Sequence, residues 1–265
     1  MYEKGPSDMN MRIVAGFLGV VCSTWCQLEA QGYAGDESAV EPTNLIDKPT
    51  AGMDKRGSFA VSANFYQRGG VLAGISVGVF ERFMFGISYG GTDIIGPSVI
   101  HMNPWPGVQA KLRILNEGSL MPAIAIGFDS QGKEPYIKDL ARYTIKSPGA
   151  YVVASRNYAF FGNLSLHGGL NFTMDRGDGD RDMNTFVGIE KSIGEEISVL
   201  GEYDFGFNDD HGNAVGRGRG YLNLAFRWNW GKGLVVGFDL KNVTKNQQNV
   251  SVGNRTLQID YVGTL

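Results

Sequence analysis

Cysteine is almost absent from this chain of 265 residues, and both copies, Cys22 and Cys26, lie in or beside an apolar run near the N-terminus. Arg12 precedes that run and Ala30 follows it, the pattern of a secretory signal peptide. We therefore expect a signal peptide over residues 1–30, with a short core helix or a lipoprotein-type Cys22 as the alternatives. A mature chain cut there has neither a disulfide framework nor a thiolate metal site.

Long hydrophobic runs are also absent. After residue 30, no apolar stretch reaches the roughly 20 residues that a membrane-spanning helix needs. Strands that cross a membrane need only alternate apolar residues, so their average hydropathy stays near zero. The mean hydropathy of −0.14 is therefore compatible with a β-barrel membrane protein.

Charge is sparse and balanced. Charged residues make up 19% of the chain and the net charge is −3, with no cluster of Lys and Arg, so we expect no nucleic-acid partner. The chain is instead rich in glycine, with 38 residues, and in aromatic residues, at 11%. This composition favours strands and tight turns over helices.

Residues 221–230 show the pattern that organises the chain. In an extended strand, alternate side chains point to opposite faces. One face is apolar and ends in aromatic residues: Leu222, Leu224, Phe226, Trp228 and Trp230. The other face carries Asn223, Ala225, Arg227 and Asn229. A strand between lipid and a polar interior needs this division.

The same alternation recurs from residue 57 to residue 261 and predicts about twelve strands. The connections between them are alternately short and long, as expected for periplasmic turns and extracellular loops. We therefore predict an all-β fold, an antiparallel transmembrane outer-membrane β-barrel of about 12 strands over residues 57–265. Residues 31–56 form a periplasmic lead-in, and whether they plug the lumen is left open. A soluble β-sandwich is the alternative fold, but its outward face rarely carries so many small residues.

Eight charged residues fall on the predicted inner face of the barrel. They are Lys111, Arg113, Glu190, Glu202, Asp204, Arg227, Asp239 and Lys241. Isolated charges in a narrow lumen are costly, so we expect pairing across and between strands. Three successive strands carry Glu202 and Asp204, then Arg227, then Asp239, an order that permits an acid–base–acid ladder. These residues either fill and rigidify the barrel or line a path for small solutes.

Little in the sequence indicates catalysis. Of the three histidines, His167 lies two residues from Ser165, which puts both on one face of a strand, but the strand offers no acid to orient the histidine. Residues 175–182 alternate Asp and Gly like a calcium loop, yet lack the final Glu, which favours a solvated hairpin loop. We expect a protein without enzymatic activity, cofactor or metal.

The last strand suggests how the barrel is inserted. Leu257, Ile259 and Tyr261 lie on its predicted outer face and have the character of a barrel-assembly signal. The expected partners are therefore outer-membrane lipid and lipopolysaccharide, together with the barrel-assembly machinery. Other envelope proteins or polysaccharide are further candidates.

Several phrases resemble a known family. Residues 44–51 (NLIDKPTA), 86–91 (GISYGG), 103–109 (NPWPGVQ) and 123–129 (AIAIGFD) are similar to YjbH-like outer-membrane proteins associated with exopolysaccharide. The resemblance implies a β-barrel in the bacterial outer membrane, and no active residues. It favours an accessory of surface polysaccharide export or assembly, or a structural anchor in an envelope complex. A narrow, porin-like diffusion channel for small charged solutes is the alternative.

Overall fold

The computed structural model describes residues 40–248, 250 and 253–265. The predicted signal peptide and residues 31–39 lie outside the described residues. Across the described part of the chain, no helix combines the length and the apolar character that a membrane span requires.

The described chain is built almost entirely from strands. Twelve long strands form one sheet: β1 (Ser58–Tyr66), β2 (Gly70–Phe80), β3 (Phe83–Thr92), β5 (Gly107–Leu115), β6 (Ala123–Asp129), β9 (Gly149–Ala159), β10 (Asn163–Phe172), β11 (Asn184–Ile193), β12 (Ile197–Asp204), β13 (Tyr221–Gly231), β14 (Leu234–Lys241) and β15 (Asn254–Thr264). Three short strands lie in the connections: β4 (His101–Met102), β7 (Lys133–Ile137) and β8 (Arg142–Ile145). A single 3-10 turn, Lys138–Leu140, joins β7 to β8.

The sheet closes on itself because the first and last long strands pair. β1 pairs antiparallel with β15, Ser58 opposite Thr264 and Phe65 opposite Leu257, and on its other edge with β2. Each remaining long strand pairs antiparallel with the next one, so none of the twelve long strands has an open edge. The prediction of an antiparallel barrel of about twelve strands is confirmed.

The outer face carries the apolar band predicted from the alternation. On β13, Leu224, Phe226 and Trp228 are exposed, whereas Ala225 and Arg227 between them are buried inside. On β9, whose sequence pattern alone does not distinguish its two faces, Tyr151, Val153 and Ser155 point inward. An apolar exterior around a polar interior is the arrangement that a bilayer imposes on a barrel.

The connections have the predicted asymmetry. At the barrel end where β1 begins, the strands are joined by residues 81–82, 116–122, 160–162, 194–196 and 232–233. At the opposite end the connections are residues 67–69, 93–106, 130–148, 173–183, 205–220 and 242–253. Apart from residues 67–69, the second set is the longer one, as expected for the extracellular end.

Residues 40–56, here called the luminal segment, lie inside the barrel. Most of their side chains are buried, and their polar groups bond to inner-face residues of strands from β2 round to β14. An isolated bridge between Asn44 and Pro49 folds the segment into a turn. The sequence left open whether the predicted lead-in plugs the lumen. The part of it that the structure describes lies inside the lumen.

Candidate functional site

Glu202, on the inner face of β12, holds the turn of the luminal segment. Its Oε2 atom accepts hydrogen bonds from the backbone N–H groups of Ile46, Asp47 and Lys48, at 3.0, 2.9 and 2.9 Å. Its Oε1 atom accepts a fourth bond from the amide of Asn223, at 2.9 Å. A buried carboxylate is stabilised by such a set of donors, and each bond to a charged group is a strong one.

The opposite side of the segment is held by cations. The Lys111 ammonium donates to the backbone carbonyls of Thr43, Thr50 and Gly52, at 2.6, 3.0 and 3.0 Å. Arg113, two residues further along β5, donates to the carbonyl of Ala51 and forms an ion pair with a carboxylate of the segment. Anchors of both signs therefore fix the backbone of the segment.

Asp47 and Lys48 supply the ion pairs of the turn. Asp47 lies 2.7 Å from the Lys241 ammonium and 3.2 Å from that of Lys133. Burial by itself raises the pKa of Asp47, but Lys241 and Lys133 outweigh it and hold that pKa below its ordinary value. Burial lowers the pKa of Lys48, and Asp204, at 2.7 Å, more than offsets that effect and raises it. Both groups stay charged inside the barrel.

Apolar contacts complete the docking. Leu45 and Ile46 pack in a buried cluster with Leu200, Ala225 and Val235, and Ala51 packs in a second cluster. Gly188 on β11 faces Leu45, and a Cβ atom placed there would lie 2.1 Å from Leu45 Cδ2. The small residues of the inner face therefore make room for the luminal segment.

All eight charged residues singled out in the sequence lie on the inner face, in or near the buried interior. Arg227 pairs with Asp239, as one step of the expected ladder. Glu202 and Asp204 do not join it, because they bond to the turn of the luminal segment and to the side-chain amides of Asn223 and Asn184. The rest of the ladder is therefore wrong. The role of the eight residues along a solute path stays a prediction.

Sequence reasoning missed Lys133 and Ser155 as contacts of the luminal segment. The Lys133 ammonium donates to the carbonyl of Ile46, and the Ser155 hydroxyl accepts the amide of Ala51. Lys133 begins the short strand β7 within a long connection. Ser155 lies on β9, whose sequence pattern does not show which face points inward. The available signal was the phrase around residues 44–50, which is too distinctive for a simple spacer.

A polar cavity of about 130 Å³ remains beside the luminal segment. The luminal segment forms one side of the cavity, and the strands from β15 through β1, β2 and β3 to β5 and β6 form the other. Small and polar side chains line that side: Ser62, Asn64, Ser76, Ser88, Gln109 and Gln258. A polar cavity of this size holds several water molecules, at about 30 Å³ each.

His167 and Ser165, the one candidate catalytic pair in the sequence, are not hydrogen-bonded to each other. The two side chains share the inner face, but the Ser165 hydroxyl donates to Asn157, whereas His167 Nδ1 lies 2.8 Å from the Ser155 hydroxyl. Among the described residues, no carboxylate is hydrogen-bonded to His167. The arrangement therefore lacks the acid that would orient a catalytic base.

The acidic loop is not the solvated hairpin that the sequence favoured. Asp178 is buried, and it pairs with Arg142 at 2.6 Å and with Lys146 at 2.7 Å. Asp180 accepts the backbone amides of Asp210 and His211. Arg142 also pairs with Asp209, so one buried cation ties together three of the long connections.

Comparison with known proteins supports the fold. No family model matches the chain, and no curated protein matches it. A solved structure described as a KdgM porin is similar, with a TM-score of 0.50 and 11% identity over 77% of this chain and 98% of that one. The structure of Omp33, an outer membrane protein of Acinetobacter baumannii, has a TM-score of 0.42 and is 9% identical, over 80% of this chain and 100% of that one. The chain has the barrel fold of outer-membrane porins, and neither comparison identifies the YjbH-like family.

Proposed function

We propose that this chain is a narrow diffusion channel of the bacterial outer membrane, through which small charged solutes pass beside the luminal segment. The observation that carries the proposal is the polar cavity between the luminal segment and the strands from β15 through β1 to β6. A lumen meant only to be filled has no need of a water-sized cavity lined by so many polar side chains. The likeness to a porin barrel is consistent with this role, and catalysis is no part of it.

The size of the path sets the class of solute. At about 130 Å³, the cavity is far smaller than the space of roughly 300 Å³ or more that drug-sized ligands occupy. The proposed solutes are therefore ions and very small molecules. Export across the inner membrane, insertion by the barrel-assembly machinery, and contact with outer-membrane lipid and lipopolysaccharide belong to the same proposal.

The occupied lumen favours a second candidate. A barrel filled by its own N-terminal segment would also suit a non-conducting accessory of surface polysaccharide export, or an anchor for other envelope proteins. That is the role implied by the resemblance of residues 44–51 and the later phrases to YjbH-like proteins. The two candidates differ in one measurable property, the passage of ions through the isolated barrel.

Planar-bilayer conductance of the purified mature protein separates the candidates. Gel mobility with and without boiling shows first whether the sample contains folded barrel, because a folded barrel migrates differently until it is boiled. We expect heat-modifiable mobility together with small, steady conductance steps. Heat-modifiable protein that shows no conductance would overturn the proposed channel and favour the accessory or the anchor. The matched control is Glu195→Gln, at an exposed turn far from the cavity, which should conduct like the unaltered chain.

A further inference from the structure

The charges around the cavity are unequal in number. Four carboxylates line it, from Glu41, Asp54, Asp129 and Asp260, and a single ammonium, from Lys133. Glu41 is neutralised by Arg113, and Lys133 is turned toward Asp47. The remaining three carboxylates, Asp54, Asp129 and Asp260, leave the cavity with an excess of negative charge.

These three carboxylates have neutral hydrogen-bond partners. Asp54 accepts the hydroxyl of Ser76, Asp129 the backbone amide of Gln131, and Asp260 the side-chain amide of Gln258. Within residues 40–248, 250 and 253–265, none of the three lies within ion-pair distance of a Lys, Arg or His. The charges of Lys111, Lys133 and Arg227 reach them only at longer range, so no direct ion pair neutralises them.

The nearest cations are engaged elsewhere. Lys111, on the far side of the luminal segment, is surrounded by three backbone carbonyls. Arg227, whose charge reaches Asp260, forms its ion pair with Asp239. Neither can turn to the cavity without leaving its own buried partners unpaired, which is costly.

We propose that the cavity is a path for small cations, with Asp54, Asp129 and Asp260 as the residues that determine its selectivity. The inference rests on the proposed channel and names the class of solute. Carboxylates lining a constricted pore attract cations and repel anions, and the low dielectric of the surrounding wall strengthens the effect. A cation that enters also supplies the direct ion pair that these carboxylates lack among the described residues.

The test is the reversal potential in a potassium chloride gradient across a planar bilayer. The unaltered chain should show the sign of a potassium-selective pore. Asp54→Asn combined with Asp260→Asn should lower the ratio of potassium to chloride permeability by about threefold or more, because two attractive charges are lost. Asp54→Glu, which keeps the charge, should keep the ratio, and Asp139→Asn, exposed in an extracellular connection, is the matched control.

Each outcome decides something. Conductance with no preference for potassium, or a preference that the double variant leaves unchanged, overturns this inference and leaves the channel standing. A silent but heat-modifiable barrel overturns the channel and the inference together. Heat-modifiable mobility of the double variant shows that a changed ratio comes from the missing charges and not from a misfolded barrel.

Discussion

Gly188 illustrates, at the scale of one residue, how the inner face is shaped for the luminal segment. Valine at this position would place its Cβ atom 2.1 Å from Leu45 Cδ2, with further bulk beyond. We predict that Gly188→Val displaces Leu45 and weakens docking by about 1–3 kcal/mol, the usual cost of overpacking. The measurement is hydrogen exchange of the amides of residues 45–48, which should become faster.

A compensating change makes this prediction specific. Leu45→Ala removes the clashing methyl groups, so the double variant should exchange more slowly than Gly188→Val alone. Gly168→Val is the matched control, because Gly168 lies on the outer face and a Cβ atom there meets nothing closer than 3.8 Å. Equal exchange rates in Gly188→Val and in the unaltered chain would contradict the predicted contact.

Asp54 makes the proposed selectivity depend on pH. Burial raises the pKa of Asp54, and the neighbouring Glu41 raises it further. The hydrogen bond from Ser76 and the charge of Lys111 lower this pKa but do not outweigh burial. An acid with a raised pKa becomes neutral sooner as the pH falls. We therefore predict that preference for potassium declines on acidification before an exposed aspartate would protonate. Reversal potentials measured from neutral to acid pH test this, and Asp54→Asn should remove part of the decline.

The luminal segment is an element without regular secondary structure, so its position depends on its anchors. Glu202 alone accepts three of its backbone amides. We predict that Glu202→Gln leaves the barrel folded but speeds the exchange of those three amides by about tenfold or more, since a bond to a charged acceptor is worth about 1.5–3 kcal/mol. Glu195→Gln, at an exposed turn, should leave the exchange unchanged. Unchanged protection in Glu202→Gln would refute the anchor.

A buried ion-pair cluster lies among the long connections. Arg142, fully buried, pairs with Asp178 and Asp209 and so ties the β7–β8 hairpin to two neighbouring loops. Arg142→Leu would leave two carboxylates with less compensation, at a local cost of about 3–5 kcal/mol. We predict faster trypsin cleavage within residues 173–183 and 205–220, which contain their own arginines. Lys138→Leu, an exposed cation of the same hairpin, should be cleaved like the unaltered chain.

At the scale of the whole molecule, the barrel could be predicted and its contents could not. Lipid imposes a period of two on every strand, so the exposed Trp228 and the buried Arg227 can be told apart from local sequence. The luminal segment has no such period. Its contact with Glu202 joins positions 156 residues apart, and no local pattern encodes that pairing. The same gap explains the wrong ladder, because the charged partner of Asp204 and the three backbone donors to Glu202 belong to the luminal segment, which the strand pattern does not include.

The seam between β1 and β15 carries the last prediction, on barrel assembly. Leu257, Ile259 and Tyr261 alternate along the outer face of β15, and the ring of Tyr261 lies 6.2 Å from that of Phe59 on β1. Tyr261→Asp would remove this aromatic contact and place a carboxylate against lipid at the strand pair that closes the barrel. We predict a clear fall in heat-modifiable protein in the outer membrane, whereas Tyr261→Phe, which keeps the ring, should retain it. Normal levels of Tyr261→Asp would show that closure and insertion do not depend on this aromatic residue.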